Sequence, residues 1–556
     1  MFRRRREQRS LFSAATILPE AKRQRLEKSW AAVFRERALP LIDEEEFRHL
    51  FHADNGRPNK PIQTIVGLLI LKEIYDLTDA ETLERLEFDL LFHVALDLDL
   101  DEAHACQKTL HNFRARLMAS KTDELLFTSL TDKILKVLGV DVSKQRLDST
   151  HIISNIARRT RLGLFCETIQ VFLAVLKKDF TRHFDAAPES LRKRYLKEDG
   201  VATRFGDAKA DETRRRLSVC ARDVYRLVDR FRGVKGVCSL EAYALLERLL
   251  ADQCEVTKTP KGGGDGDADS SEPAVPVEVK EPKKVEPDSL QSPHDPDATY
   301  SGHKGKGYEV QIAETHGNEK VPEIITHVAL TRSCESDERA LVPAMDDLAA
   351  REIRPDELTA DTTYGSIANA LLCEDRGTVL VSPVGGNAAP ATKDQPRPCD
   401  FFVDPTVLAQ QSICPAGHTA TRDERNEERG TIRAYFDAAT CDQCERRKAC
   451  PARRLKDGTR VLYTTDEKAH LELRRTYEKT EEFKERYAAR AGIEATNAEL
   501  KRRHGLGRLR VRRQPRVRLV VYLKAAACNV KRMVTHFVAT LLAAARATEM
   551  AAVGAN

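Results

Sequence analysis

The stretch YAARAGIEATNAELK, residues 487–501, decides the interpretation of this chain. In a helix of about 100° per residue, four of its side chains fall within about 60° of one another. They are Tyr487, Arg490, Glu494 and Lys501, so one face carries a phenol, a guanidinium, a carboxylate and an ammonium. The plainer alternative is a surface helix stabilised by ion pairs between residues four apart.

A basic run follows this stretch directly. From Lys501 to Arg518 there are nine Lys or Arg and no Asp or Glu. Such a block repels itself unless a polyanion lies against it, and a nearby carboxylate would oppose phosphate binding. Glu494 is compatible with that surface if it holds a divalent cation, because the cation reverses the local charge.

Two further carboxylates are candidates upstream. Asp148 lies in KQRLDSTHIISN, where residues 145–153 predict a strand, and Asp361 ends a short predicted strand in ELTADTTYGS. An Asp in a buried strand is costly unless it is paired or metal-bound, and a position in a turn is the alternative. Neither carboxylate alone would indicate a catalytic site.

The spacing Y-x2-R-x3-E-x6-K of Tyr487, Arg490, Glu494 and Lys501 resembles the signature of DDE-type bacterial insertion-sequence transposases. The HGLGRLRVR run that follows is similar to that family as well. The resemblance implies that Asp148 is the first catalytic aspartate, at the centre of the first strand of an RNase H-like sheet. It also implies a DNA transposase that cleaves and joins insertion-sequence ends by two-metal-ion phosphodiester hydrolysis and strand transfer.

In that chemistry two Mg²⁺ or Mn²⁺ ions, about 3.5 to 4 Å apart, activate the attacking oxygen and stabilise the leaving 3′-oxygen. We expect Asp148 to bridge both ions, Asp361 to hold one and Glu494 to hold the other. The expected partner is double-stranded DNA, both terminal inverted repeats and target, bound by a homodimer because two ends are cut. The residues expected to bind DNA are Tyr487, Arg490, Lys501, Arg502, Arg503, Arg508 and Arg510.

The order of predicted elements favours an α/β fold with an RNase H-like mixed sheet. After the strand of Asp148 come strands at 308–315 and 323–331, a helix at 337–352, a strand ending at Asp361, a helix at 367–373 and a strand in GTVLVSP. Around this core we expect a helical N-terminal domain, a helical insertion and a small Cys-rich insertion.

The expected domain boundaries follow from these patterns and from changes in composition. They are a helical N-terminal DNA-binding or oligomerisation domain at 1–140, the first part of the core at 141–160, the helical insertion at 161–255, a disordered acidic linker at 256–299, the middle of the core at 300–388, the Cys-rich insertion at 389–480, and the catalytic-Glu helix, basic run and C-terminal helix at 481–550. The N-terminal helices suit either a helix-turn-helix-like DNA binder or an oligomerisation bundle.

Cysteines cluster in the Cys-rich insertion. Cys414 precedes the pair Cys441-x2-Cys444, Cys450 follows, and His418 is a spare candidate ligand. Thiolates at this spacing suit a tetrahedral structural Zn²⁺, and similar clusters occur in relatives of the resembled family. Ordinary cysteines in a helical hairpin are the alternative.

Composition narrows the class of protein. A chain of 556 residues exceeds the size of one hydrophobic core, and its content of 32% charged and 41% hydrophobic residues is that of a soluble globular protein. Thirteen scattered cysteines favour a reducing compartment. No apolar run approaches the ~18 residues of a membrane span, so we expect a cytoplasmic, nucleoid-associated protein with no membrane partner.

Two other functions stay open from the sequence. One is a transposase-derived DNA-binding protein that has lost catalysis, although all three carboxylates are present. The other is a zinc-stabilised helical scaffold, which leaves the basic run unexplained.

Overall fold

The computed structural model describes residues 1–5, 18–52, 55–56, 58–157, 159–203, 205–207, 210–257, 275–385, 396–404 and 411–554. Its α-helices are α1 (Glu20–Glu27), α2 (Trp30–Val33), α3 (Ile62–Ile74), α4 (Asp79–Phe88), α5 (Leu90–Leu96), α6 (Gln107–Ser120), α7 (Leu125–Leu138), α8 (Arg161–Asp179), α9 (Thr181–Asp185), α10 (Glu189–Tyr195), α11 (Ala210–Phe231), α12 (Glu241–Gln253), α13 (Leu341–Ala350), α14 (Ile367–Asp375), α15 (Ala438–Gln443), α16 (Asp466–Tyr477), α17 (Glu481–Ala488), α18 (Gly492–Arg503) and α19 (Gln514–Gly554). Its strands are β1 (Lys144–Ile152), β2 (Cys254–Val256), β3 (Val277–Val279), β4 (Thr299–Ser301), β5 (Gly305–Thr315), β6 (Ile325–Arg332), β7 (Glu357–Ala360), β8 (Val379–Val381), β9 (Arg422–Asn426), β10 (Thr431–Phe436), β11 (Arg453–Arg454) and β12 (Arg460–Thr465).

Helices α1 to α7 occupy the N-terminal region, and local signals explain their ends. Thr78 and Glu81 form a reciprocal capping box that starts α4. α7 ends at Gly139, whose φ of 63° is left-handed and suits a residue without a Cβ. The N-terminal region is therefore helical as predicted, and its role in binding DNA or in oligomerisation stays a prediction.

A mixed sheet of six strands carries the predicted core. β1 pairs antiparallel with β5 and parallel with β7, while β5 pairs antiparallel with β6 and β7 pairs parallel with β8. β4 adds a short antiparallel pairing to β5. The predicted succession of strands and helices is present, so the mixed α/β class is confirmed.

Different helices cover the two faces of this sheet. Ile152, Val310 and Ile312 join the largest hydrophobic core, which also contains α19 and apolar side chains of the N-terminal helices. Leu147 and Leu358 belong to a second core on the other face, together with residues of α13. The N-terminal helices and the sheet therefore share one continuous apolar core.

α19 is the long C-terminal helix predicted from the run rich in Val, Leu and Ala. Asn529 at its middle accepts a hydrogen bond from the backbone N–H of Ile325 at 2.9 Å and donates to the carbonyl of Ile325 at 2.8 Å. The helix is thereby fixed to the first residue of β6. Within the described ranges, no helix is both long and apolar enough to cross a membrane.

The helical insertion between β1 and β5 has a hydrophobic core of its own, formed mainly by α8, α11 and α12. The linker predicted over 256–299 differs from the structure in its second half, because residues 275–299 include β3 and a buried Leu290 that packs in the insertion core. Tyr308 also donates a hydrogen bond to Asp295 at 2.7 Å. Long-range contacts order this segment despite its polar composition, while residues 258–274 lie outside the described residues.

The Cys-rich insertion is built on a sheet of four strands in the order β11-β12-β10-β9. Ile432, Ala434 and Phe436 point from β10 into a small core, against which Cys414, Cys441 and Cys450 pack. The helical hairpin considered for these cysteines is therefore not the observed structure. Residues 386–395 and 405–410 of the predicted insertion lie outside the described residues.

Candidate active site

The segment from Tyr487 to Lys501 is helical but not one uninterrupted helix. α17 gives way to a 3-10 turn, Ala489–Ala491, before α18 begins at Gly492. The guanidinium of Arg146 on β1 fills the space beside Gly492, where an added Cβ would lie 1.9 Å from Nη1. Arg146 also donates to the carbonyl of Ala489 at 2.8 Å, so the turn is fixed against the sheet.

Asp148 is buried on β1, with only 7% of its surface exposed. Arg490 Nη2 lies 3.5 Å from Asp148 Oδ1, and Asn497 Nδ2 donates to Asp148 Oδ2 at 3.1 Å. Burial raises the pKa of the Asp148 carboxyl, Arg490 opposes this and nearby Asp361 adds to it. The surroundings therefore favour a cation at this carboxylate.

Asp361 follows β7 directly, and the sheet brings it to Asp148. Leu147 of β1 pairs with Ala360 of the parallel strand β7, so the next residue of each strand is the neighbouring carboxylate. The Asp361 side chain accepts a hydrogen bond from the backbone N–H of Thr363 at 2.9 Å, which holds the turn after the strand. Two of the three predicted carboxylates thus lie side by side.

Arg490 links the third carboxylate to this pair. Its Nη1 donates to Glu494 Oε1 at 3.0 Å while its Nη2 faces Asp148, and the Glu494 side chain is 65% exposed. Burial lowers the pKa of the Arg490 guanidinium, but Asp148, Tyr487, Asp361 and Glu494 outweigh it and raise that pKa. All three predicted carboxylates therefore interact electrostatically with the Arg490 guanidinium.

Tyr487 and Lys501 lie close to the carboxylates of the candidate site. The ring of Tyr487 stacks on Phe483 with centroids 5.6 Å apart. Burial raises the pKa of the Tyr487 phenol, with Arg490 opposing and Asp361 reinforcing the rise. Burial lowers the pKa of the Lys501 ammonium. Both side chains are half-buried at the edge of the carboxylate group.

The basic run continues as an extension along β1. The backbone N–H of Ile153 donates to the carbonyl of Gly507 at 3.1 Å, and the N–H of Leu509 donates to the carbonyl of Ile153 at 2.8 Å. The run is therefore tied to the strand that carries Asp148.

The predicted DNA-binding arginines of this run differ in their surroundings. Arg502, Arg503 and Arg508 are exposed. Arg510 is also exposed, but it pairs with Asp76 at 2.8 Å, just after α3. It therefore joins the basic run to the N-terminal helices.

Asn497 is a residue of the site that the sequence interpretation missed. It lies three residues after Glu494 and four before Lys501, which places it on the same face of α18. Its amide is uncharged, so a search for charged side chains passes over it. The helical spacing alone could have found it.

The donor set suits a hard divalent cation. Asp148, Asp361 and Glu494 offer carboxylate oxygens, the ligands that Mg²⁺ and Mn²⁺ prefer. The guanidinium of Arg490 already occupies the space between two of them, so the site accepts positive charge. These residues therefore fit the predicted ions.

Among the described residues, the group of three or more potential ligands whose atoms all lie within 4.8 Å of one another contains neither the three carboxylates nor the four cysteines. Glu499, His504 and Cys528 have ligand atoms all within 4.8 Å of one another. Glu499 already pairs with Arg532 at 3.1 Å and with Lys531 at 3.6 Å. Because these cations oppose a metal ion, we interpret the group as packing between α18 and α19.

Three of the four cysteines expected to bind zinc, Cys414, Cys441 and Cys450, pack against the same small core. Burial raises the pKa of the Cys441 thiol, Arg460 opposes this, and Cys450, Cys414 and Cys444 raise it further. The spare candidate His418 is next to them, with its carbonyl accepting a hydrogen bond from the backbone N–H of Cys414 at 2.9 Å. The soft thiol donors fit a structural Zn²⁺.

Two family models match the chain. The model described as Transposase DDE domain matches residues 413–534, and the model described as Transposase domain (DUF772) matches residues 23–116. Both matches support an insertion-sequence DDE transposase.

The two matched ranges include several of the features described above. The first contains the cysteine cluster, Glu494 and the basic run, and the second covers much of the N-terminal helical region. Asp148 and Asp361 lie outside both ranges. No curated protein matches the chain, and no solved structure matches it.

Proposed function

We propose that this transposase cleaves and joins the ends of an insertion sequence on an RNase H-like sheet. The observation that carries the proposal is the position of Arg490 between Asp148, at 3.5 Å, and Glu494, at 3.0 Å, with Asp361 following the strand beside Asp148. These carboxylates come from the middle of β1, the end of β7 and the first turn of α18. The exposed arginines of the basic run continue from the same helix.

Asp148, Asp361 and Glu494 would hold two Mg²⁺ or Mn²⁺ ions. When bound, such ions lower the pKa of the attacking oxygen and stabilise the charge on the leaving 3′-oxygen. The chain needs no histidine base in this scheme.

Arg490 would exchange its carboxylate partners for phosphate. Its planar fork suits two phosphate oxygens, whereas the Lys501 ammonium acts as a point charge on a neighbouring phosphate. Tyr487 would help to orient the same DNA backbone. The exposed Arg502, Arg503 and Arg508 extend this contact along double-stranded DNA, as inverted repeats or target, bound by a homodimer.

The test is cleavage of labelled duplex DNA that carries the inverted repeats flanking the element. We expect the parent chain to cut at the element end only when Mg²⁺ or Mn²⁺ is present. Asp148→Asn, Asp361→Asn and Glu494→Gln should each abolish cutting while retaining DNA binding, because the phosphate-binding side chains stay in place. Glu485→Gln, an exposed change on α17, is the matched control and should cut like the parent chain.

Two outcomes would contradict the proposal. If Asp148→Asn or Glu494→Gln still nicks the element ends, these carboxylates do not hold the ions. If the parent chain binds the ends but cuts them under no divalent condition, the catalytically inactive DNA-binding protein becomes the better description.

We further propose that Cys414, Cys441, Cys444 and Cys450 hold one structural Zn²⁺. Elemental analysis of the purified chain should then find about one zinc per chain, as expected for a closed Cys₄ site. Cys444→Ser should lose that zinc, while Cys106→Ser, an exposed cysteine on the N-terminal side, should keep it. Equal zinc content in the parent chain and Cys444→Ser would contradict the assignment.

A further inference from the structure

Asn497 is an uncharged residue that lies between the charged side chains of Glu494 and Lys501 on the face of α18 next to the candidate site. Arg490, Glu494, Asn497 and Lys501 follow one another at spacings of four, three and four, the repeat of a single helical face. Neither the Y-R-E-K signature nor the roles proposed for its residues include Asn497.

Asn497 and Arg490 together contact both oxygens of Asp148. Asn497 Nδ2 donates to Oδ2 at 3.1 Å, and Arg490 Nη2 lies 3.5 Å from Oδ1. Because Asp148 is almost fully buried, protein donors rather than bulk water must orient its carboxylate.

The amide of Asn497 has only one favourable orientation. Exchanging its nitrogen and oxygen would place a carbonyl oxygen against the Asp148 carboxylate. In the observed orientation its Oδ1 is buried and has no hydrogen-bond partner among the described residues. A buried acceptor without a donor opposes stability, so the amide is better explained by what its nitrogen does for Asp148.

Other contacts already fix α18 to the sheet. Thr496 donates to Glu314 of β5 at 2.6 Å, and Arg146 of β1 donates to the carbonyl of Ala489 at 2.8 Å. Anchoring the helix therefore does not require Asn497.

We propose that Asn497 is a positioning residue that holds the Asp148 carboxylate in the orientation required to bind divalent ions. This inference rests on the proposed function, because it assumes that Asp148 binds those ions. The side chain acts through Asp148 and takes no direct part in cleavage. Neighbours that orient a metal ligand in this way typically contribute about 10- to 100-fold to metal affinity.

The experiment measures Mn²⁺ binding to the full, metal-stripped chain without DNA, by electron paramagnetic resonance of free Mn²⁺. We expect Asn497→Ala to bind Mn²⁺ roughly 10- to 100-fold more weakly than the parent chain. Asn318→Ala is the matched control, since Asn318 also donates to a carboxylate, Glu323, at 3.1 Å but lies away from the site. Its Mn²⁺ affinity should equal that of the parent chain.

A purely structural role would leave Mn²⁺ affinity unchanged in Asn497→Ala, and that result would overturn the inference. Asp148→Asn separates this failure from failure of the proposed function. If Asp148→Asn loses Mn²⁺ and Asn497→Ala does not, only the inference fails. If Asp148→Asn also binds like the parent chain, the proposed ion site itself is wrong.

A second variant covers the case in which Asn497→Ala does not fold. Asn497→Asp keeps the shape but puts a second carboxylate against Asp148, and like charges repel when no cation separates them. The metal-free melting temperature should therefore fall, and Mn²⁺ should raise it by more than in the parent chain. An unchanged metal-free melting temperature would show that the two side chains do not interact, which would overturn the inference.

Discussion

The surroundings of Asp148 are poorly suited to its charge. Its carboxylate lies on a buried strand, beside Asp361, with the guanidinium of Arg490 as the nearby cation. Its pKa is raised above the ordinary value of 3.8, because burial outweighs the attraction of Arg490. Without bound ions, the ionised Asp148 carboxylate therefore lowers the free energy of unfolding at neutral pH.

Asp148→Asn should stabilise the metal-free chain at neutral pH. Removing a poorly solvated charge should raise the free energy of unfolding by on the order of 1 kcal/mol. Thermal unfolding in a chelator measures this, with half-exposed Asp361→Asn as the control for which we expect a smaller change. A lower melting temperature for Asp148→Asn would show that the carboxylate stabilises the fold.

Arg508 and Arg510 should contribute differently to DNA binding. Arg508 is exposed, whereas Arg510 is engaged with Asp76. Arg508→Ala should reduce the slope of log affinity against log salt by about 1, the value for one lost phosphate contact. Arg510→Ala should change that slope less, because its charge is already partly neutralised. Equal effects would contradict the distinction drawn from the ion pair.

At the scale of secondary-structure elements, the sequence predicts strands best where apolar runs end at turn residues. The strand that contains Asp148 and the strands before and after Asp361 lie where hydrophobic patterning predicts them, because buried strands need such runs whatever their partners. The Y-R-E-K spacing likewise places its residues on one side of the α17–α18 segment. The 3-10 turn within that segment was not foreseen, because it depends on Arg146, a residue far away in the chain.

Other elements could not be predicted because their order comes from distant contacts. The segment 275–299 is polar and rich in proline, yet Leu290 and Asp295 are fully buried. Only the folded insertion and β5 supply the surfaces that bury them. Asn497 escaped notice for a related reason, since its importance depends on the carboxylate opposite it rather than on its own charge.

Gly492→Ala should loosen the join between α18 and the sheet. The added Cβ would meet the guanidinium of Arg146 at 1.9 Å, so Arg146 would have to give up its bond to Ala489. We expect a loss of about 1 to 3 kcal/mol in the free energy of unfolding, typical of overpacking. Gly233→Ala is the matched control, because its added Cβ meets nothing within 4 Å. Equal stability of the two variants in urea unfolding would contradict this account.

At the scale of the whole molecule, a buried group of ion pairs joins α3 to α19. Lys524 on α19 lies 2.6 Å from Glu73 on α3, and both side chains are almost fully buried. Lys72 approaches the other oxygen of Glu73 at 2.8 Å. Burial raises the pKa of the Glu73 carboxyl, but Lys524 and Lys72 outweigh it and hold that pKa below its ordinary value of 4.5.

A pH dependence of stability follows, and its sign is fixed. A depressed pKa contributes stability that is fully present above pH 4.5 and is lost as the pH falls through the folded-state value. Glu73→Gln removes the nearer carboxylate partner of buried Lys524 and leaves it Asp76 at 3.2 Å, so we expect it to cost about 1 to 3 kcal/mol near pH 7. The difference from the parent chain should shrink below pH 4.5, as measured by denaturant unfolding at several pH values. A constant difference from pH 7 to pH 3 would contradict this assignment.

The pairing of Ile153 with Gly507 and Leu509 has a consequence for biosynthesis. Ile153, at the end of the strand that bears Asp148, gains these backbone partners only after Gly507 and Leu509 have been synthesised. Nascent chains and prematurely terminated products therefore lack both the closing backbone bonds and the helix of Glu494. Under the proposed function, fragments that end before α18 should therefore not cut DNA.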